Sequence, residues 1–440
     1  MANGMARKYG GQAILAGSIT RNTWLPDKRE FDVFVLFPEK MTKKQLEENG
    51  LRIGKAVIGK LKGEAKVDYA EHPYVTGLIG SISVDIVPCY KVASAEQIKS
   101  AVDRTPFHVQ YIEKHLPQKL APEVRLLKQF LKSNGMYGAD AKTGGYSGYV
   151  CELLVIAYGS FLDVLRAATD WQVSQLIDIE KVYQKQDYPK VLGNFKSQAL
   201  VLIDPTDRNR NTAAALSAYD FYKFKKCAKL FLDYPSEEMF FPKKMLPLTK
   251  QEMMQLQEQR VTEIVVVKFI PPKVVPDILW PQLRKLGERL QGILEETQYE
   301  FKVFGKDVFT DEKFIAAVLL EMEVGKLPNV QKRVGPSVFD KKDVENFLGK
   351  YKDIASAVYV ENNNWVVETK RQFLTAGEKL QDSLKQPLDI LLAKGVPNHL
   401  AERVANGFDI ISGDAIMQVA ERNQDFGIFL RKYFEKEKLA

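Results

Sequence analysis

Apolar residues in the first ninety positions occur in short blocks that predict strands, with one helix between them. Residues 12–16 and 31–37 are short runs of the buried-strand type. Residues 42–62 carry an apolar stripe at helical spacing behind a Thr that suits an N-cap. Residues 64–76 and 81–88 predict two further strands. The pattern therefore predicts a mixed sheet backed by helices, ending near residue 110.

Helical periodicity replaces this pattern beyond residue 117. We expect a helix at 123–133, and one buried helix at 151–164, which is apolar nearly all round except for Glu152. A buried carboxylate needs a partner, so Glu152 is interpreted as a satisfied structural acid. A strand at 199–203 precedes a loop at 204–212, which opens an Ala-rich helix at 213–224.

The last two hundred residues predict another α+β region after a proline-rich linker at 235–250. Its predicted elements are strands at 261–269, 299–304, 314–323 and 365–369, a helix at 278–297 and a basic helix at about 414–437. The chain then divides into a head (1–112), a mostly helical neck (113–245) and a body and tail (246–440).

Composition places the chain among globular proteins. Of 440 residues, 45% are hydrophobic and 27% charged, and no apolar run approaches the length of a membrane span. No secretory leader is recognisable, and the three cysteines are far apart, which together favour a reduced, cytoplasmic protein. A formal net charge of +7 permits an RNA partner without requiring one.

Three carboxylates on predicted strands carry the candidate chemistry. Glu30 and Asp32 are two residues apart on one strand, so they share a face and lie about 7 Å apart. Asp85 is a single acid on another apolar strand, and Gly17-Ser18 forms a small-residue turn where a phosphate can approach the backbone. Three oxygen ligands beside such a turn suit a site for two Mg²⁺ ions. Solvated acids at a strand end are the alternative.

The order of these motifs resembles the class I (archaeal-type) CCA-adding tRNA nucleotidyltransferases, within the polymerase-beta-type nucleotidyltransferase superfamily. The resemblance begins at Gly17–Trp24 and continues in the strand from Glu30 to Pro38. Further matching blocks are Tyr69–Tyr74, Asp85–Tyr90, Ser100–His108, Val124–Lys128, Tyr146–Leu154 and Asp204-Pro205. It covers most of the chain and is most specific in the first half.

The resemblance implies a multidomain α+β fold with a polymerase-beta-type head and a set of site residues. Glu30, Asp32 and Asp85 would hold two Mg²⁺ ions. The implied nucleotide-binding residues are Gly17, Ser18, Arg21, His108, Lys128, Tyr137 and Arg210. Within this set, Ser18, Arg21, His108 and Lys128 would contact phosphate, Tyr137 the ribose or base, and Arg210 the base. Arg208 is a near neighbour of Arg210. Taken singly, His108 would be interpreted as structural.

The implied reaction is stepwise addition of C, C and A to the 3′ end of tRNA from CTP and ATP, without a template. The resemblance also suggests that the protein is a homodimer. A poly(A) polymerase or another terminal nucleotidyltransferase would share the carboxylates, but the blocks around Arg21, His108 and Glu152 favour the CCA-adding branch. A non-catalytic tRNA-binding protein is the remaining alternative, and the intact set of three carboxylates argues against it.

Overall fold

The computed structural model describes residues 1–27, 30–69, 71–296 and 299–439. Ala70 of the motif blocks above and the predicted helix end at Thr297 lie outside these residues. The chain forms two compact units, Met1–Lys244 with the last residues of the chain, and Met245–Glu437. The boundary at residue 112 between head and neck stays a prediction.

The first unit contains a five-stranded sheet followed by helices and a small second sheet. Its elements are α1 (Ala2–Ala6), β1 (Gln12–Ala16), β2 (Glu30–Pro38), α2 (Lys43–Lys60), β3 (Glu64–Tyr69), β4 (Pro73–Ile79), β5 (Ile82–Lys91), α3 (Thr105–His115), α4 (Ala121–Ser133), α5 (Gly148–Tyr158), α6 (Phe161–Asp170), β6 (Gln175–Ile177), α7 (Tyr188–Asn194), β7 (Leu200–Asp204), β8 (Asp207–Asn211) and α8 (Ala218–Asp233). The strand order is β1-β2-β5-β4-β3 in the large sheet and β6-β7-β8 in the small one. The large sheet is mixed, as predicted, because β2 and β5 are parallel and the other pairs antiparallel.

Helix α2 covers one face of the large sheet. The Thr42 hydroxyl accepts a hydrogen bond from the Gln45 amide, and the side-chain oxygen of Gln45 accepts one from the Thr42 amide, which forms a capping box. A Cβ on Gly54 would lie 2.6 Å from the side chain of Val75, so glycine lets the helix approach β4 closely. The predicted helix at 42–62 is therefore confirmed, and it packs against the sheet that carries the acids.

Two predicted elements of the first unit are each divided in the structure. The strand predicted at 64–76 is the hairpin β3–β4, whose second strand begins at Pro73. Proline cannot donate a ladder hydrogen bond within a continuous strand. The helix predicted at 151–164 is divided into α5 and α6, because Gly159 has φ +96° and Ser160 caps the second helix.

The region after β7 also differs from its prediction. Residues expected to be a loop form the edge strand β8, and the Ala-rich residues precede the helix, which begins at Ala218 behind the Ser217 cap. The side chain of Asn211 stabilises this arrangement by bonding to backbone groups of Leu200 and Leu202. A polar run was mistaken for a loop because an edge strand does not need an apolar pattern.

A helical core follows the large sheet in this unit. Helices α4, α5, α6 and α8 enclose buried side chains, including Phe130, Phe161, Phe221 and Phe224. Helices α5 and α6, bent by 90°, together pass a length and composition test for a membrane span, yet much of their apolar surface is in this core. In the described part of the chain, no single helix is long and apolar enough to cross a membrane.

The second unit is α+β, as predicted. Its elements are α9 (Lys250–Arg260), β9 (Glu263–Phe269), α10 (Pro276–Leu294), β10 (Lys302–Thr310), β11 (Ala316–Val324), β12 (Val330–Ser337), α11 (Lys341–Tyr351), β13 (Ala355–Glu361), β14 (Asn364–Lys370), α12 (Ala376–Leu384), α13 (Leu388–Ala393), α14 (Asn398–Asn406), β15 (Asp409–Ser412), α15 (Asp414–Arg422) and α16 (Gln424–Phe434). Sheets of order β10-β11-β9-β15 and β12-β14-β13 organise it. The strand predicted at 299–304 lies further along, as β10. The single C-terminal helix predicted at 414–437 is wrong, because Asn423 ends α15 and caps α16.

Candidate active site

Two neighbouring parallel strands bring the three predicted carboxylates to one place. Asp32 of β2 pairs directly with Asp85 of β5, and Glu30 pairs with Ser83. Paired residues of adjacent strands project to the same face, and neighbouring strands lie about 4.8 Å apart. Since Glu30 and Asp32 alternate onto that same face, the three carboxylates gather at one end of the strand pair.

The Gly17 turn contacts this acidic group directly. Gly17 has φ +78°, and a Cβ at this position would lie 2.1 Å from Oδ2 of Asp32. Every other residue type is therefore excluded on two grounds, backbone conformation and space. A 3₁₀ turn over Ser18–Arg21 follows, so Gly17 also sets the direction in which Ser18 and the first amides of that turn point.

A cavity of about 210 Å³ lies between this turn and the helices α4 and α5. Seven of the predicted site residues line it: Gly17, Ser18, Arg21, Glu30, Asp32, Lys128 and Tyr137. No ligand role is predicted for the other lining residues, Thr23, Trp24, Leu25, Gly148, Tyr149 and Glu152. Five of the six fall in the motif blocks and Leu25 directly follows the first block, which was the available signal.

Glu152 connects both walls of this cavity. Its carboxylate is buried and accepts two hydrogen bonds from Arg21, from Nε at 3.2 Å and from Nη2 at 3.1 Å. The Thr23 hydroxyl donates to it at 2.5 Å, and Nζ of Lys128 lies 3.7 Å away. The prediction that Glu152 is a satisfied buried acid is confirmed.

Lys128 is almost fully enclosed beside this carboxylate. Its Nζ donates to the Thr23 carbonyl at 2.9 Å and lies 3.3 Å from the Thr23 hydroxyl. Burial lowers the pKa of Lys128 from its ordinary value, and the nearby charge of Glu152 opposes that effect. As placed, Arg21 and Lys128 contact Glu152 and Thr23, and their predicted contacts with phosphate stay predictions.

Tyr137 completes the wall opposite the turn. A Cβ on Gly148 would lie 3.1 Å from the Tyr137 hydroxyl and 3.5 Å from Nζ of Lys128, so glycine leaves room for both polar tips. Burial raises the pKa of Tyr137, and the charge of Glu152 adds to the effect. The hydroxyl therefore stays protonated and available as a donor at neutral pH.

His108 and Arg210 meet at a different carboxylate. Nε2 of His108 lies 2.9 Å, and Nη1 of Arg210 2.8 Å, from Oδ2 of Asp204, whose side chain is fully buried. The other oxygen accepts from the Thr206 amide and hydroxyl. Arg210 faces a second cavity of about 690 Å³. Neither His108 nor Arg210 lines the first cavity, but Tyr149 stacks on His108 with ring centroids 4.1 Å apart and links the two places.

The residues present fit divalent cations that prefer oxygen ligands. Partial burial and the charges of Asp85, Asp68 and Asp32 raise the pKa of Tyr74, which shows that this end of the sheet is electronegative. Among the described residues, no three His, Cys, Asp or Glu side chains are arranged so that they could hold a metal ion by themselves. Mg²⁺ usually completes its coordination with waters and substrate phosphates, so an open set of acids is what it requires.

Comparison with known proteins assigns the same order of parts along the chain. Residues 2–108 match the nucleotidyltransferase domain, 122–241 the second domain of tRNA nucleotidyltransferase, and 260–413 the C-terminal domain of the CCA-adding enzyme.

Full-length relatives carry the comparison further. The CCA-adding enzyme of Methanosarcina mazei is 38% identical, over 95% of this chain and 88% of its own. The CCA-adding enzymes of Methanothermobacter thermautotrophicus and Archaeoglobus fulgidus are each 36% identical, over 96% and 93% of this chain and 89% and 88% of their own. Identity of this level over nearly the whole of both chains leaves one assignment: the chain belongs to the archaeal CCA-adding enzyme family of the nucleotidyltransferase superfamily.

Proposed function

We propose that this protein adds C, C and A in turn to the 3′ end of tRNA, from CTP and ATP, by in-line attack of the terminal 3′-hydroxyl on the α-phosphate with release of pyrophosphate. The observation that carries this mechanism is the in-register pair Asp32 and Asp85 beside Glu30. The Gly17 turn packs against Asp32, and Glu30 and Asp32 line the cavity of about 210 Å³. Family membership supports the choice of substrates, and this geometry supports the choice of site residues.

The predicted site residues would divide binding and orientation among them. Glu30, Asp32 and Asp85 would hold two Mg²⁺ ions, which when bound supply the positive charge that activates the attacking hydroxyl and stabilises the leaving pyrophosphate. Ser18 and the amides of its turn would orient the triphosphate. Tyr137 would donate to the ribose or base.

Cationic residues would complete the nucleotide site. Arg21 and Lys128 are held by Glu152 at the cavity wall, where they balance part of the phosphate charge. His108 would contact phosphate, and Arg210 would read the edge of the base. A site whose polar groups match one base rejects another by leaving those groups unpaired.

The proposed function also implies a partner and a compartment. The second unit would bind tRNA through its backbone and shape, which suits the positive net charge. We further propose that the protein works in the cytoplasm, where tRNA and nucleotides are present, and that it forms a homodimer. Sedimentation of the purified protein tests the dimer directly.

The test uses a tRNA transcript that lacks its terminal CCA, with Mg²⁺ and CTP alone, ATP alone or both. Two additions with CTP and a third that requires ATP are expected, read as 3′ ends on a sequencing gel. A long A-tail would instead assign the protein to the poly(A) polymerase branch.

Single substitutions locate the chemistry. Asp32→Ala and Asp85→Ala are expected to abolish addition while tRNA binding changes no more than a few-fold. Asp68→Ala is the matched control, since Asp68 is an acid of the same sheet that pairs with Lys66 at 3.1 Å. Addition by either of the first two variants at near wild-type rate would contradict the assignment of the carboxylates.

A further inference from the structure

We infer that Asp204 is a positioning residue that sets base selectivity, by holding the Arg210 guanidinium in one orientation and linking it to the nucleotide cavity through His108 and Tyr149. This inference rests on the proposed function and deepens it. It concerns a residue that touches neither the reacting atoms nor the metal ligands.

Asp204 occupies a place where its carboxylate cannot turn. It is the last residue of β7, and its side chain has no exposed surface. Thr206 donates twice to Oδ1, from its amide at 2.9 Å and its hydroxyl at 2.8 Å. Because these bonds fix the plane of the carboxylate, the direction in which Oδ2 accepts is fixed as well.

Oδ2 of Asp204 in turn receives the two functional side chains. His108 comes from α3, 96 residues earlier in the chain, and Arg210 comes from the neighbouring strand β8. Although burial opposes ionisation, the hydrogen bond and charge of His108 and the Thr206 donors together lower the pKa of Asp204. The carboxylate is therefore charged at neutral pH, and a charged acceptor binds a guanidinium more strongly than a neutral one does.

Arg210 keeps most of its hydrogen-bonding capacity for a ligand. Its side chain is 35% exposed, and Asp204 is its only hydrogen-bond partner among the described residues. A guanidinium has five N–H donors in a rigid plane, so a bond from Nη1 to Asp204, together with the attachment of the side chain to β8, restricts the directions of the other four. A freely rotating arginine would satisfy the acceptors of several bases, whereas a fixed one favours the base whose acceptors it meets.

Tyr149 extends this arrangement to the cavity that holds the carboxylates. Its ring lines that cavity and stacks on His108 at an interplanar angle of 19°, and its hydroxyl lies 3.4 Å from Oδ1 of Asp204. A continuous set of contacts therefore runs from the cavity to Arg210. Correct placement of a nucleotide at one end would support correct placement of the base-reading group at the other.

Asp204→Asn tests the inference in the full-length protein, since it keeps the shape and removes the charge. The measurement is kcat/KM for addition of CMP against addition of UMP to a tRNA lacking CCA. We expect the ratio to fall about 10- to 100-fold, while the affinity for tRNA is unchanged. Asp207→Asn is the matched control, because Asp207 lies in the same hairpin and pairs with Arg104 instead, at 3.2 Å. Its ratio should not change.

A double-mutant cycle separates positioning from a general loss of structure. If Asp204 acts through Arg210, the variant Asp204→Asn/Arg210→Ala should be no less selective than Arg210→Ala alone. Effects that multiply, or an Asp204→Asn enzyme with the wild-type ratio, would overturn the inference.

Thr206→Val keeps the experiment decisive if Asp204→Asn does not fold. It removes one donor to Oδ1 and leaves the carboxylate, so a smaller fall in the CMP-to-UMP ratio of kcat/KM is expected. An unchanged ratio would again count against the inference. Wild-type protein that adds neither CMP nor AMP would refute the proposed function. Wild-type addition with unaltered selectivity in the variants would refute only the role of Asp204.

Discussion

Glu152→Gln should destabilise the first unit in a manner that depends on pH. The substitution removes one negative charge from a group that contains Arg21 and Lys128, both largely buried at 12% and 2% exposure of their side chains. Removing one partner of a buried charge pair typically costs about 3 to 5 kcal/mol. The Arg21 guanidinium borders the cavity and can be hydrated there, so most of the cost falls on Lys128.

The cost of the substitution cannot exceed the free energy of deprotonating Lys128 in the folded protein, because Lys128 can lose its proton. The ordinary pKa of a lysine is 10.5, and burial already lowers that of Lys128. Deprotonation at pH 7.5 costs about 4 kcal/mol relative to the unfolded chain, at roughly 1.4 kcal/mol per pH unit. At pH 9.5 the same ceiling is about 1.4 kcal/mol. A group whose folded pKa is lowered gains stability as the pH rises towards its unfolded value, since the unfolded chain then binds more protons.

The assay is urea unfolding at pH 7.5 and 9.5, with hydrogen exchange of the peptide 148–158 to assign the transition to α5. We expect a deficit in the free energy of unfolding of about 3 to 4 kcal/mol at pH 7.5 that shrinks to about 1.4 kcal/mol or less at pH 9.5. The double variant Glu152→Gln/Lys128→Met is the control and should lose this pH dependence. A deficit equal at both values, or below about 1 kcal/mol at pH 7.5, would refute the reasoning.

Three further predictions follow from contacts elsewhere. Gly17→Ala should reduce nucleotide addition at least 100-fold without weakening tRNA binding, because its Cβ would lie 2.1 Å from Oδ2 of Asp32; near-normal single-turnover rates would contradict this. In the second unit, Glu321 accepts from Arg260 at 2.6 and 2.8 Å, and although burial opposes it, these bonds lower the pKa of Glu321. Its contribution to stability is therefore present above pH 4.5 and lost as the pH falls through its lowered pKa. Glu321→Gln should reduce the fall of Tm with decreasing pH, measured by thermal unfolding at a series of pH values below 4.5. An unaltered dependence of Tm on pH would contradict this. Ser147→Ala should cost about 1 kcal/mol in urea unfolding, since the hydroxyl caps α5, and a change below a few tenths would show that the cap is unimportant.

Local patterns explain the elements that sequence analysis predicted well. The capping box and apolar stripe of α2 depend on residues three and four apart, so they can be recognised from the sequence. The same holds for the strand that carries Glu30 and Asp32. Errors occurred where one residue ends an element. Gly159 divides a helix, Pro73 opens a second strand, and both signals were in the sequence.

The sequence by itself determined which residues are available for chemistry. Three acids on strands, a Gly-Ser turn and the surrounding motif blocks are properties of neighbouring positions, and they were sufficient to predict the family. Only the tertiary structure decided which of these residues meet. The parallel pairing of β2 with β5 aligns Asp32 with Asp85, and helix packing brings Glu152 to Arg21, 131 residues away. His108 likewise reaches Asp204 from 96 residues earlier in the chain, where Arg210 of the neighbouring strand also binds. Such contacts satisfy buried polar groups that would be costly if unpaired, and no local pattern records that cost.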